Sequence, residues 1–324
     1  MTLRDAADRA LEFVVVPSFT RIGPAARSRM FDWKPLDSYD LTGRVVVLTG
    51  ATSGIGRNAA DHLARAGADL TIVGRDPDRT EQARAEIAAG SGNDSVHAVV
   101  ADMGELDQVD AAADQLLARH DRIDALLHNA GALTADRRTN SAGVELTVAS
   151  QVLGPFLLTC RLLEPLGQAA PGRVITMSSG GMYTAGLTVA DLQMTEASYR
   201  GSEQYARAKR AQVVLNEMWA ARIDPSEVVF HALHPGWVDT PGVDDSLPTF
   251  SKVMGPLLRT PDQGADTMVW LAADDGEPLR TTGSFWLDRR RRDPHRTNAS
   301  RRSDTAVRRA ELWEWCVEMT GANP

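Results

Sequence analysis

The stretch Thr49-Gly50-Ala51-Thr52-Ser53-Gly54-Ile55-Gly56 constrains the fold more than any other in the chain. A branched apolar run, Val45 to Leu48, leads into it, and an alanine-rich helical pattern, Arg57 to Ala66, leads out. Strand, glycine turn and helix start follow one another directly. In that layout backbone N–H groups at a helix N-terminus point at an anion, and the helix dipole favours negative charge there. Gly50 permits the tight turn, Gly54 lets the backbone approach a ligand, and Gly56 lets the helix pack closely on the strand. Glycine turns are common and many bind nothing. The flanking strand and helix make this one a cradle for a phosphate or pyrophosphate.

From Val45 the pattern alternates strand and helix. The strands read as Val45 to Thr49, Asp69 to Val73, Val96 to Val100, Ile123 to His128, Arg173 to Ser178, Val228 to His234 and Ser284 to Leu287. Between them, Leu106, Val109, Ala113, Leu116 and Leu117 give one apolar face at helical spacing. Near-continuous apolar strands alternating with helices imply an α/β fold: a mainly parallel, seven-stranded, doubly wound sheet covered on both sides. The crossovers are expected to be right-handed. One Rossmann-type domain over 43–288 accounts for this, with an extension over 1–42 and a basic loop and final helix over 289–324.

The net charge of −8 argues against a general nucleic-acid binder. Two distant cysteines, Cys160 and Cys316, make neither a disulfide framework nor a thiolate metal site, and a reducing, cytoplasmic setting is expected. No run of about eighteen apolar residues suggests a membrane span. Leu11 to Val16 is shorter than a span and reads as a segment packed on the domain, with weak peripheral membrane contact as the alternative. Arg289 to Arg292, near Arg296, Arg301 and Arg302, read as a solvated loop paired with the chain's many acids, or else as a local anion site. Thr305 to Met319 reads as a helix with Val307, Ala310, Leu312, Trp313, Cys316 and Val317 on its apolar side.

Several residues carry candidate chemistry. The second strand ends in Val73-Gly74-Arg75-Asp76. In a dinucleotide fold an acid here binds the free ribose 2′-OH of NAD, whereas arginine accommodates the 2′-phosphate of NADP. Gly74 takes the acid's place and Arg75 follows, favouring NADP(H) over NAD(H); Asp76 works against that reading and Arg57 adds to it. Asp102, before Met103, is placed to accept from an adenine amino group, and Asn129, before Ala130 and Gly131, to brace neighbouring strands. Tyr205 and Lys209 lie four apart on a helical pattern and share a face. A lysine ammonium there favours phenolate and makes the tyrosine a usable acid or base near neutral pH. Ser179, at the end of the fifth strand, can hold a substrate oxygen for that tyrosine. No Gly-x-Ser-x-Gly elbow surrounds it. His231 and His234, at odd spacing on a strand, point to opposite faces, so no metal site is expected.

The ordered set Thr49-Gly50-x-x-x-Gly54-Ile55-Gly56, Asn129-Ala130-Gly131, Ser179, Tyr205-x-x-x-Lys209 and Pro235-Gly236 resembles the short-chain dehydrogenase/reductase family over about Gly43 to Asp288. Segments such as Ser178-Ser179-Gly180-Gly181-Met182 and His234-Pro235-Gly236-Trp237-Val238-Asp239-Thr240 resemble, more narrowly, the dehydrogenase/reductase SDR family member 12 group, near the retinol dehydrogenase-like branch. The resemblance implies Tyr205 as acid/base, Lys209 as the group that lowers its pKa and holds the nicotinamide ribose, and Ser179 as the group that orients the carbonyl or alcohol. Thr52, Ser53, Met103, Ala130 and Gly131 would line the dinucleotide. Pro235, Gly236, Val238 and Thr240 would lie along its nicotinamide and phosphates. Homo-oligomers are usual for the family.

The resemblance breaks at Gln151, where the family usually has an asparagine whose main-chain carbonyl holds a relay water. Pro155, four residues on, has no N–H and cannot bond that carbonyl in an α-helix. The expectation is that proline keeps the relay available in spite of the glutamine. The long connections 182–203 and 240–259 carry apolar residues, among them Leu247, Phe250, Val253, Met254, Leu257 and Leu258, which suggest either a lipophilic carbonyl or alcohol substrate or loop packing alone. An NADP-dependent oxidoreductase is the leading expectation. A non-catalytic, cofactor-binding regulatory or scaffold protein on the same fold is the alternative.

Overall fold

The computed structural model describes residues 2–131, 133–239 and 254–322. One sheet carries the strands β1 (Val45–Thr49), β2 (Asp69–Gly74), β3 (Val96–Val100), β4 (Ala125–His128), β5 (Gly172–Met177), β6 (Val228–Leu233), β7 (Ser284–Leu287) and β8 (Arg290–Arg292). Their order is β3-β2-β1-β4-β5-β6-β7-β8. The first seven pair in parallel and β8 runs antiparallel to β7. The chain reverses direction across the sheet between β3 and β4, which leaves a crevice at the carboxyl ends of β1 and β4.

The seven parallel strands are mostly apolar because both faces are covered. On one face α4 (Gly54–Arg65), α5 (Pro77–Ser91) and α10 (Pro261–Ala273) pack around Leu48, Leu63, Leu70, Ile72, Met268 and Trp286. On the other, α6 (Leu106–Arg119), α8 (Gly154–Gly167) and α9 (Gly201–Ala220) enclose Val109, Leu116, Phe156, Leu162, Val214 and Trp219. α8 is preceded by the short α7 (Leu146–Val148) and a π turn over Ala149–Leu153. The run from Leu146 to Gly167 is long and apolar enough to cross a membrane by length and composition, but most of it is buried here, packed on α6 and the sheet. The π turn has a covalent cause. Pro155 supplies no N–H to residue 151, and the Gly154 N–H reaches back to the Ala149 carbonyl instead.

The basic run departs from expectation in one respect. Arg290–Arg292 form an eighth strand rather than a loop. Each arginine is matched by an acid, as expected: Arg290 by Asp5, Arg291 by Glu277, Arg292 by Asp8. The two-residue turn joining β7 to β8 places Asp288 and Arg289 at φ 53° and 54°. Neither is glycine, so the turn costs roughly 1–2 kcal/mol per residue. Ion pairs hold it: Arg289 to Asp266, and Asp288 to both Arg27 and Arg259.

The extension also corrects the sequence reading. It forms α1 (Leu3–Phe13), α2 (Val15–Phe19) and α3 (Ile22–Met30). α1 docks by its acids, not by its apolar residues. Asp5, Asp8 and Glu12 share the inward face, and Arg27, Arg290, Arg292 and Arg296 receive them. Because the surface beneath is arginine-rich, the apolar residues are turned out: Phe13 is 88% exposed, and Val14, Val15 and Val16 are exposed beside it. After β8, α11 (Asn298–Ser303) leads to α12 (Ala306–Thr320), which buries Leu312, Trp313 and Cys316. Val307 and Ala310, expected on the same side, are exposed.

Candidate active site

The glycine turn is built as its sequence indicates. Gly50 has φ 74°, and a Cβ there would lie 2.7 Å from the Ala130 Cα. A Cβ on Gly56 would lie 2.1 Å from the Gly50 carbonyl and 2.4 Å from Asn129 Nδ2. The first turn of α4 therefore sits directly on the loop leaving β1. Asn129 braces the two strands: its Nδ2 donates to the carbonyls of Thr49 at 3.2 Å and Gly50 at 2.9 Å. The Thr49 hydroxyl accepts from the Asn129 and Ala130 N–H groups. Thr52 and Ile55 are half-buried, and Ser53 is exposed at the rim. The Ser53 side chain makes no capping bond at the start of α4, so among the described residues the backbone donors there form an open cradle that suits a dinucleotide pyrophosphate.

At the end of β2, Gly74 lies against Thr80 and Thr52, and a Cβ there would lie 2.3 Å from Thr80 Oγ1. Asp76 is occupied as the N-cap of α5, accepting from the Arg79 N–H at 2.9 Å. Arg57, expected to add free positive charge, is paired with Glu86 and Asp61 instead. Exposed Arg75 has no acid partner among the described residues, so it supplies the charge at this edge. Asp102 accepts from the Gly104 N–H at 2.8 Å, and Met103 is buried with its carbonyl against Gly154.

The catalytic candidates come from three elements. Ser179 follows β5 at the start of a 3₁₀ turn, Gly180–Thr184, and its Oγ accepts from the Gly181 N–H at 3.1 Å. Tyr205 and Lys209 stand on α9, with the ammonium 5.4 Å from the ring centroid. Burial raises the phenol pKa, while a hydrogen bond with Ser179 pulls it down. Lys209 is buried, donates Nζ to the Met177 carbonyl at 2.7 Å, and is pushed down to about 7 by that burial. Ser178 ties the same segment to the helix, donating its hydroxyl to the Lys209 carbonyl at 3.0 Å. Gln151 is fully buried in the π turn, and its side chain stands about 3 Å from where a Gly131 Cβ would be.

Beyond β6, Pro235 and Gly236 open a loop in which Gly236 has φ 80°. Buried Val238 packs under the start of α10, where a Gly264 Cβ would lie 2.8 Å from it and 3.2 Å from Ile55. This links the loop to the glycine turn. Thr240, Leu247, Phe250 and Val253 lie outside the described residues. In the inserted stretch, Met182, Leu187, Leu192 and Met194 are buried, so loop packing accounts for them. A hollow of about 550 Å³ opens beside it, edged by Thr184, Asp191, Arg200, Glu203 and Arg207. His231 bonds Trp286 and Pro278, while His234 accepts from the Gly236 N–H at 3.1 Å, so the two histidines have separate partners.

Residues 44–249 match the family model for short chain dehydrogenase. The chain belongs to the short-chain dehydrogenase family. It is 36% identical to human dehydrogenase/reductase SDR family member 12 over 276 residues, covering 85% of this chain and 86% of the relative. It is 31% identical to mouse retinol dehydrogenase 11 over 275 residues, covering 82% and 84%. A solved structure of an uncharacterised Mycobacterium paratuberculosis protein superposes with a TM-score of 0.71 at 25% identity, covering 90% of this chain and 98% of that one. This short-chain dehydrogenase is therefore an NAD(P)-dependent oxidoreductase acting on CH–OH or C=O groups.

Sequence reasoning missed Phe19, Arg259 and Asp288. They touch the Pro235–Val238 loop or its support, yet they belong to no motif and lie far apart in sequence.

Proposed function

We propose that this short-chain dehydrogenase interconverts a lipophilic carbonyl compound and its alcohol with NADP(H), using Ser179, Tyr205 and Lys209. The observation that carries the reading is the meeting of the three: the Ser179 hydroxyl near enough to the Tyr205 phenol to draw its pKa down, and a buried lysine one helical turn along. When bound, the nicotinamide dinucleotide supplies a hydride to the carbonyl carbon or takes one from the alcohol. Ser179 donates its hydroxyl to the substrate oxygen. Tyr205 gives its phenolic proton to that oxygen as negative charge develops, and takes it back in the oxidative direction. Lys209, poised at about 7, stabilises the resulting phenolate in its protonated form. Positioning and this proton transfer account for the rate.

NADP(H) is favoured by the edge of β2. Asp76 is committed to capping α5, Gly74 has no side chain, and exposed Arg75, without an acid partner among the described residues, presents charge beside the place of a 2′-phosphate. A lipophilic substrate is supported by the retinol dehydrogenase relative and by half-buried Met254 and Leu257 at the end of the long connection; Leu258 there is buried in packing.

Peripheral contact with an anionic lipid surface belongs to the same reading. α1 turns its acids inward and presents Phe13 to Val16, with exposed Arg9 and Arg21 nearby. Co-sedimentation with phosphatidylserine vesicles is expected for the wild type and lost in Phe13→Ser/Val15→Ser. Equal sedimentation of both overturns this part.

The function is tested by screening retinoid, steroid and medium-chain aldehydes, ketones and alcohols with NADPH, NADH and their oxidised forms. Turnover of apolar members, faster with the phosphorylated cofactor, is expected. Turnover confined to small polar substrates, or preference for NADH, contradicts it.

A further inference from the structure

Phe19 lies in the extension, some two hundred residues before the Pro235–Val238 loop, yet it forms the back of that loop. Its carbonyl accepts from the Trp237 N–H at 2.7 Å and from Arg259 Nε at 3.0 Å. Arg259 brackets the loop a second time through its backbone: its N–H donates to the Trp237 carbonyl at 2.8 Å, and its carbonyl accepts from Asp239 at 2.9 Å. The approach is close enough that a Cβ on Gly236 would lie 2.2 Å from Arg259 Nε and 2.6 Å from the Phe19 carbonyl. The Phe19 ring covers His234, 4.4 Å between centroids, and its Cε2 lies 2.8 Å from where a Gly180 Cβ would be. One aromatic residue thus touches both the loop after β6 and the turn that carries Ser179.

This contact is anchored in the interior. Arg259 gives Nη2 to the Ser18 carbonyl at 2.7 Å and pairs with Asp288 at 2.5 Å. Asp288 also accepts from Arg27 at 2.6 Å, and Arg27 donates Nε to Asp8 at 2.7 Å. Arg27, Arg259 and Asp288 are all buried. Removing one partner leaves another charge buried and uncompensated, so the set behaves as a unit. Asp288 holds its place in a non-glycine turn at φ 53°. Strained backbone of this kind persists only where its surroundings over-determine it, and it concentrates near functional sites.

We propose that Phe19 and Arg259 are positioning residues that fix the Pro235–Val238 loop against the nicotinamide end of the dinucleotide, with Asp288 as the shared anchor tying the extension to it. The proposal rests on the assignment of that loop to the nicotinamide in the function proposed above. The adenosine end, at Gly74 and Arg75, lies on another strand and shares none of these contacts.

The test separates the two ends. Affinities for 2′,5′-ADP, which has no nicotinamide, and for NADPH are measured by calorimetry on the full chain for wild type, Arg259→Met and Phe19→Ala, together with kcat and KM. Both variants are expected to bind 2′,5′-ADP as wild type does, to bind NADPH about tenfold more weakly, and to lose kcat. If Arg259→Met fails to fold, Phe19→Ala, which keeps the backbone carbonyl and the ion pairs, carries the test alone. Unchanged NADPH affinity and kcat in a folded variant, or equal weakening of both ligands, overturns the proposal. A wild type that binds neither ligand overturns the proposed function instead.

Discussion

Lys209 reaches past its tyrosine neighbour to donate Nζ to the Met177 carbonyl at 2.7 Å, two residues before Ser179. The bond fixes the height of α9 over the end of β5, and with it the spacing of Tyr205 and Ser179. The cost of burying the ammonium appears in the pKa of about 7, against an ordinary 10.5.

That depression sets a pH dependence of stability. Below about pH 7 the folded and unfolded apoprotein both carry the proton, and the folded state bears the full burial penalty. Between about pH 7 and 10.5 the unfolded state retains a proton that the folded state has released, so stability rises with pH through that window. Denaturant midpoints of wild type should climb across this range relative to those of Lys209→Met. Parallel pH profiles for the two contradict the assignment.

Gly56→Ala places a methyl 2.1 Å from the Gly50 carbonyl and 2.4 Å from Asn129 Nδ2. The turn must move, at about 1–3 kcal/mol, and dinucleotide affinity should fall with stability. Gly90 is the control, since nothing lies within 4 Å of a Cβ on this helical glycine. Gly90→Ala should gain up to about 1 kcal/mol and leave binding unchanged. Thermal melts with and without NADPH read both.

Arg75→Ala should raise the Kd for NADPH about tenfold, or about 1.4 kcal/mol, and leave that for NADH unchanged. Gly74→Asp should not convert the enzyme to NAD(H) by itself, because its Cβ lies 2.3 Å from Thr80 Oγ1. Gly74→Asp with Thr80→Ala removes that collision and should bind NADH more tightly than wild type does. Binding titrations with both cofactors decide the matter.

Short-range order was legible in the sequence. The strand–turn–helix at Thr49 to Gly56 needs only local glycines and a branched run, and the Tyr205–Lys209 face needs only helical spacing. Pro155 was expected to leave the Gln151 carbonyl without its helical donor, because its missing N–H is covalent; the π turn over Ala149–Leu153 that accompanies it was not legible. Long-range charge pairing was not legible. Arg27 and Asp288 meet across 261 positions, and no periodicity marks them as partners. The same blindness hid β8: pairing of its arginines with acids was expected, but not that those acids would come from α1 and Glu277 or that the run would form a strand. It also reversed the reading of α1, because an apolar run was expected to face inward and the surface it met was cationic.

In the proposed function Tyr205 moves the proton at a site whose cofactor is held independently by the glycine turn. The most direct measurement is the turnover of Tyr205→Phe, on whichever carbonyl compound the wild type reduces, beside its Kd for NADPH. Loss of about a hundredfold to ten-thousandfold in kcat with the Kd unchanged is the predicted result. A variant that keeps wild-type turnover, or a wild type that binds NADPH but turns over no carbonyl or alcohol in a Tyr205-dependent way, contradicts it.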